Sequence, residues 1–194
     1  MEYKWIENNS KKLIVLFHGT GGDMESLIPL ATAIDSTADI LSFQGDHIEG
    51  GMRRYFPFPQ QGHMSIEVLK EVAQKFLETF HSLDLSQYER ITALGYSNGA
   101  NFILSILQLD PQFVDMALLA HPSNFNYQFE QASDEINILA TTGEYDEISP
   151  IPTIIEMHKT VKEHFFPQFE LQVFNSGHEL SQEELIALKN YYHR

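Results

Sequence analysis

Residues Gly95-Tyr96-Ser97-Asn98-Gly99 constrain this chain more than any other stretch, because of what flanks them. Before them runs a short apolar segment, Ile91-Thr92-Ala93-Leu94, with strand character. After them, Ala100 to Leu107 has the length and apolar spacing of a buried helix. A Gly-x-Ser-x-Gly joining a strand to a helix forms a nucleophile elbow, a turn too tight for side chains at either glycine, with the serine exposed above the sheet edge. Its Oγ also sits at a helix N-terminus, where free N–H groups and the helix dipole favour developing negative charge. On its own the pentapeptide is a weak pattern that reads more readily as a plain glycine-rich turn, so its chemistry depends on partners elsewhere.

The rest of the chain alternates short apolar runs with longer amphipathic segments, the βαβ pattern of a mainly parallel sheet with helices on both faces. Strands are expected at Leu13–Phe17, Ile40–Phe43, Arg90–Leu94, Asp115–Ala120, Ile136–Thr141 and Glu170–Phe174, with a further one around Tyr3–Glu7. Helices are expected near Met24–Ile34, Ser65–Leu83, Asn98–Leu109, Ile154–His164 and Gln182–Tyr192. Ser181 and Glu184 have capping-box spacing at the start of the last helix. With no internal repeat or linker, residues 1–194 read as one α/β domain, long enough to bury roughly 70% of its unfolded surface.

In such a sheet, ligands bind at the carboxyl ends of the strands. A serine hydroxyl is a weak nucleophile and needs a base, which in turn needs an orienting acid. Asp146 follows the strand Ile136–Thr141, and His178 follows Glu170–Phe174, which is the chain order Ser, acid, His that this elbow requires. Ser97 is thus the expected nucleophile, His178 the base and Asp146 the orienter, with Glu144 and Glu147 as neighbouring rival acids. The loop His18-Gly19-Thr20-Gly21-Gly22-Asp23 supplies backbone N–H groups for an oxyanion. Thr20 and Asn98 are the expected donors, and Gly19 and Gly21 let the backbone approach closely. His18 is expected to hold that loop in place. Met24 occupies the third glycine position of a dinucleotide fingerprint, and no Lys-Ser/Thr pair follows, so phosphate binding is not expected here.

Composition narrows the classes further. A formal net charge of -15 argues against nucleic acid or an anionic membrane surface as the main partner. The absence of cysteine removes disulfides, thiolate metal sites and a cysteine nucleophile. His18, His47, His121 and His178 lack ligand-pair spacing, so neither a metal nor another cofactor is expected. The N-terminus lacks a signal peptide's basic head and apolar run, and Leu13 to Phe17 is too short to span a bilayer, so a cytoplasmic chain without membrane insertion is expected.

These motifs together resemble the phospholipase/carboxylesterase family of small, lidless α/β-hydrolases, which includes acyl-protein thioesterases and bacterial carboxylesterases. The resemblance rests on His18 to Asp23, Gly95 to Gly99, Gly143-x-x-Asp146-x-Ile148-x-Pro150 and Gly177-His178-Glu179-Leu180. It implies an α/β-hydrolase fold of about six to seven strands and metal-free hydrolysis of carboxylic esters or thioesters. It departs from the thioesterase branch, which usually has Gln where Asn98 stands. Gly50 to Phe58 resembles the Gly-Met-x-Arg-Phe-Phe segment of a bacterial branch associated with quinone stress, which often carries Arg at the Phe58 position.

The connection Gln44–Met64 is long, and long loops at this edge often line binding sites. Met52, Arg53, Tyr55, Phe56 and His121 complete the expected substrate-binding set. The aromatics would wall an acyl pocket or else seal the loop onto the core. Arg53 or Arg54 would meet an anionic group or else stay solvated. The apolar stretch Tyr55–Phe58 would equally serve a homodimer contact or substrate access. Pro122 to Glu135 is too short for a helical cap, so the site should be open, which favours small or medium acyl groups. The leading expectation is a serine carboxylesterase acting through an acyl-enzyme. The alternatives are an acyl thioesterase or lysophospholipase, and a binding protein on the same scaffold that does not turn its ligand over.

Overall fold

Continuous apolar runs become central strands when both of their faces are covered. In the computed structural model, which describes residues 1–61 and 63–194, every side chain from Leu13 to Phe17 is wholly buried. The strands are β1 (Tyr3–Ile6), β2 (Lys12–Phe17), β3 (Asp39–Phe43), the short pair β4 (His47–Glu49) and β5 (Met52–Arg54), β6 (Arg90–Tyr96), β7 (Met116–Ala120), β8 (Asn137–Gly143) and β9 (Phe169–Phe174). The helices are α1 (Ile28–Ile34), α2 (Ile66–Phe80), α3 (Asn98–Leu107), α4 (Ile151–His164) and α5 (Gln182–Tyr192). Seven strands form one sheet in the order β1-β3-β2-β6-β7-β8-β9, parallel throughout except for β1 against β3.

The two-residue period of a strand is visible in β2. Leu13, Val15 and Phe17 enter the core shared with α2, α3 and α4, while Ile14 and Leu16 enter the opposite core under α1 and α5. Chain connections run from β2 outward to β3, then return to place β6 on the other side of β2. That reversal is a topological switch point, and a crevice opens there at the carboxyl ends of β2 and β6. Residues 121–136, between β7 and β8, contain no helix or strand, so no cap covers this edge. The architecture is that of an α/β-hydrolase without a cap domain. Among the described residues, no helix is long and apolar enough to cross a membrane.

Three expectations shift. Helix α1 begins at Ile28, not near Met24, because Asp23 caps a local turn, accepting from Glu25 N–H at 2.9 Å and the Ser26 hydroxyl at 3.0 Å. Pro29 then fits the first helical turn, where its missing N–H costs nothing. Helix α4 starts earlier than expected, at Ile151, with Pro152 again in its first turn. The long connection Gln44–Met64, of which residue 62 lies outside the described residues, contains the β4–β5 hairpin. Its two-residue loop is Gly50-Gly51, with φ of 58° and 78°, the positive values that a type I′ turn requires.

Candidate active site

The elbow is built by what its glycines allow. A Cβ on Gly99 would lie 1.9 Å from the Phe17 carbonyl oxygen, and one on Gly95 would lie 2.6 Å from the Gly99 carbonyl carbon. Strand β6 and helix α3 therefore pack directly against the end of β2, and Ser97 sits between them at φ 52° and ψ -112°. That left-handed conformation is costly for a residue with a Cβ and holds the side chain out of the sheet.

The Ser97 hydroxyl lies 2.8 Å from His178 Nε2, and His178 Nδ1 lies 2.8 Å from Asp146 Oδ2. An ionised carboxylate only accepts, so Nδ1 carries the proton and Nε2 is the acceptor facing the serine. Tyr96 Oη donates to the His178 carbonyl at 2.7 Å, fixing the backbone that carries the imidazole. Asp146 Oδ1 accepts from the N–H groups of Ile148 at 2.9 Å and Ser149 at 2.8 Å. Burial alone would raise the Asp146 pKa, but the hydrogen bonds from His178, Ser149 and His121 outweigh it and hold the carboxyl below its ordinary value.

Behind Asp146 lies a second pair that the sequence reading did not connect. His121 is fully buried, with Nδ1 at 2.7 Å from Asp146 Oδ2 and Nε2 at 3.0 Å from Glu184 Oε1, the latter off the line of an ideal hydrogen bond. Burial disfavours a charged imidazole, but the carboxylates of Glu184 and Asp146 prevail and raise its pKa. With a carboxylate oxygen beside each nitrogen, the ring favours the charged form more than an ordinary histidine does. Glu184 meanwhile closes the expected capping box, its Oε2 accepting from Ser181 N–H at 3.0 Å, and its own N–H donating to Ser181 Oγ at 3.1 Å. The only sequence hint of its second role was an acid on an otherwise sheet-facing turn of the helix.

A cavity of about 440 Å³ opens beside Ser97 and His178. Its wall includes both expected oxyanion positions, Thr20 and Asn98. The Asn98 amide opens α3 and has no acceptor one turn back in that helix. Its side chain is turned away, with Oδ1 accepting from Tyr55 N–H at 2.9 Å. The Thr20 loop is tied to its neighbours by backbone and side-chain contacts. Gly21 N–H donates to the Arg53 carbonyl at 2.8 Å, and His18 Nε2 accepts from Gly45 N–H at 3.1 Å. His18 Nδ1 then donates to the Gly19 carbonyl at 2.7 Å, which fits a neutral ring, and burial lowers its pKa.

Of the expected substrate-binding residues, Met52 lines the cavity and the others do not. Strand alternation puts Met52 and Arg54 on one face of β5 and Arg53 on the other. Arg53 instead donates from Nη1 to the Gly45 carbonyl at 2.8 Å, and Arg54 takes its place in the cavity wall. Tyr55 is buried in the core, donating from Oη to the Phe43 carbonyl at 2.8 Å, and Phe56 is wholly buried against Phe125. Gly19 packs under Tyr96, and Gly21, at φ 78°, shapes the loop without lining the cavity. His121 lies behind the acid, not in the pocket. Asn101, Ser123, Phe125 and Ile148 complete much of the wall. Of these, Asn101 was visible as a polar residue on an apolar helix face.

No known family profile matches the chain. A provisionally named hydrolase of Bacillus subtilis, MhqD, is 25% identical over 198 residues, covering 99% of this chain and 98% of that protein. The crystal structure of a Bacillus cereus carboxylesterase superposes with a TM-score of 0.88 at 27% identity, covering 100% of this chain and 93% of that one. A protein of unknown function from Agrobacterium tumefaciens superposes with a TM-score of 0.83 at 29% identity, covering 94% and 90%.

Proposed function

We propose that this chain, a small lidless α/β-hydrolase of the phospholipase/carboxylesterase family, cleaves carboxylic esters of small or medium acyl groups through Ser97, His178 and Asp146. The observation that carries the reading is the hydrogen-bonded chain from Ser97 Oγ through His178 to Asp146 Oδ2, both links at 2.8 Å. Residues 1–194 are taken as one catalytic domain.

In the first step Ser97 Oγ attacks the ester carbonyl while His178 Nε2 takes its proton. Asp146 keeps its charge and stabilises the imidazolium that forms, without accepting a proton itself. The carbonyl oxygen becomes an oxyanion, for which the Thr20 and Asn98 amides in the cavity wall are the donors. The intermediate collapses as His178 protonates the departing alcohol oxygen, leaving an acyl group on Ser97. Water, deprotonated by His178, then attacks that acyl group, and the serine leaves with the proton returned.

The cavity, about 440 Å³, lies toward the small end of ligand pockets and has no cap to shelter a long chain. This supports small or medium acyl groups. The same machinery would open a thioester, so acyl transfer from sulfur is the alternative substrate class.

The test is hydrolysis of p-nitrophenyl esters from acetyl to palmitoyl beside matched acyl thioesters, with Ser97→Ala as control. The expected optimum is a short to medium acyl ester, and Ser97→Ala should lower turnover by about 10⁴-fold or more. Near-native turnover by Ser97→Ala would remove the assignment. Preference for long-chain thioesters would transfer it to the alternative.

A further inference from the structure

Among the described residues, one charged side chain lining the cavity has no ion-pair partner. Arg54 ends β5 on the same face as Met52, is only 5% exposed, and lines the cavity that holds Ser97. Its Nε donates to the Phe56 carbonyl at 3.0 Å and its Nη1 to Thr20 Oγ1. Its guanidinium carbon stands 3.7 Å over the ring of Phe58. These contacts orient the group, but every acceptor among them is neutral. Among the described residues, no carboxylate lies within ion-pair distance of Arg54, and no acidic residue lines the cavity. Glu49 is the acid whose field reaches it, and that carboxylate is engaged by Phe58 N–H at 2.8 Å and by His47 at 3.4 Å.

Among the described residues Arg53 and Arg90 also lack an ion pair, but they donate to backbone carbonyls outside the cavity, and Arg54 is the arginine that lines it. A buried charge is costly unless an ion or a full set of hydrogen bonds compensates it. A guanidinium carries five N–H donors, and two of those on Arg54 have protein acceptors among the described residues. The unspent edge is a planar fork suited to a carboxylate, which can take two parallel hydrogen bonds from it.

We propose that Arg54 is the anion-binding group of the substrate pocket, and that the ester cleaved carries a free carboxylate of its own. The proposal rests on the esterase reading above and names its substrate class. The carboxylate pairs with the edge of the Arg54 fork, Phe58 covers one face of the guanidinium, and the ester carbonyl is left at Ser97. In a chain of net charge -15, such a local cation also selects against the general repulsion of anions, so discrimination arises at this residue.

Matched pairs of esters test this, one placing the carboxylate on the acyl side and one on the leaving group. They are p-nitrophenyl hydrogen succinate against p-nitrophenyl butyrate, and 4-acetoxybenzoate against phenyl acetate. The wild-type protein should favour the anionic member of at least one pair by about tenfold or more in kcat/KM, the scale of a charged hydrogen bond. The preference should shrink with added salt, and Arg54→Met should bring the ratio close to one, with Arg54→Lys between. Because Arg54 also braces Thr20, both substrates should slow in the variants, and the ratio is the readout. Monomethyl succinate binding to Ser97→Ala protein, measured by calorimetry, keeps the test independent of turnover and of a variant that folds poorly. Binding at least about tenfold tighter than that of dimethyl succinate supports the proposal. Equal binding, no binding, or an ester preference indifferent to Arg54 overturns it. Ser97-dependent hydrolysis of the neutral esters without discrimination would leave the esterase reading standing and remove only this inference.

Discussion

Asp146 serves two histidines with one oxygen, and their states differ. His178 donates from Nδ1 while its Nε2 stays an acceptor for Ser97, whereas His121 lies between the Asp146 and Glu184 carboxylates, which raise its pKa and favour its charged form. The positive charge behind Asp146 divides the field of that carboxylate between the two rings. Replacing His121 with Gln removes the cation and leaves two buried acids facing each other's site without it. Breaking a buried ionic contact in this way costs about 3–5 kcal/mol, so Tm should fall clearly. The acid limb of the pH–rate profile should move to higher pH, because Asp146 then faces His178 with its charge undivided. Adding Glu184→Gln should restore much of the Tm but not the position of the limb. A single variant with unchanged Tm and an unmoved limb would show that the His121 charge plays no part. The sequence placed Ser97, Asp146 and His178 because each follows an apolar strand, and strand ends are legible from hydrophobic runs. His121 also follows a strand, but its φ of 53° turns it inward, and no pattern announces a single left-handed residue. Arg53 and Arg54 were separated only by which face of a three-residue strand each occupies, and that depended on a register that the sequence did not disclose.

The β4–β5 hairpin ties the edge of the site together. Its neighbourhood reaches the Thr20 loop through Gly21 to Arg53, His18 through Gly45, and the elbow through Tyr55 to Asn98. Gly45, just before β4, packs tightly against the end of β5, since a Cβ there would stand 2.2 Å from the Arg54 carbonyl oxygen. Gly45→Ala must displace the hairpin backbone, and overpacking of this kind costs about 1–3 kcal/mol. It should also impair turnover, because the displaced strand carries Arg54 and supports Thr20. Gly50→Ala is the comparison. A Cβ on Gly50 meets nothing within 4 Å, and the cost is about 1–2 kcal/mol of left-handed strain without loss of activity per folded molecule. If both variants kept wild-type kcat/KM, the hairpin would not position the site. Elements of this size escape periodicity, since three residues cannot show a period of two convincingly. Strands β2, β3, β7 and β8 were legible for the opposite reason, because five or more buried positions in succession leave few other foldings, and α2 because its buried residues recur at helical spacing. The start of α1 was displaced by Asp23, whose short side chain competes with the helix for local N–H groups.

At the scale of the whole molecule, two electrostatic effects oppose each other as pH falls. The formal net charge of -15 at pH 7 makes the folded chain repel itself, and this repulsion weakens toward the isoelectric point near 4.8. Against it stand three buried acids whose pKa is depressed on folding. Asp35 is held well below the usual carboxylate range despite burial, and Asp146 and Glu184 are lowered as well. The partners of Asp35 are Thr37, Lys12 at 3.3 Å and the Tyr192 hydroxyl at 3.1 Å, the last joining α5 to the end of α1. A carboxyl whose folded pKa is depressed adds stability above its unfolded value, about 4, and loses it as pH falls through the folded value. His121 runs the other way. Its pKa is raised on folding, so its contribution is complete below about 6.5 and declines as pH rises through the folded value. Stability should therefore hold or rise from pH 7 toward 5 as repulsion relaxes and His121 stays charged, then drop below about 4 as the three acids begin to take protons. Asp35→Asn isolates one arm of this balance. It should cost about 2 kcal/mol in urea melts at pH 7, and the gap to wild type should narrow steadily below about pH 4. Salt should raise the melting midpoint at pH 7, where it screens the net charge, and have little effect near the isoelectric point. A gap between Asp35→Asn and wild type that stayed constant from neutral to strongly acidic pH would mean that Asp35 titrates alike in both states, so that its ties to Thr37, Lys12 and Tyr192 contribute no linked stability.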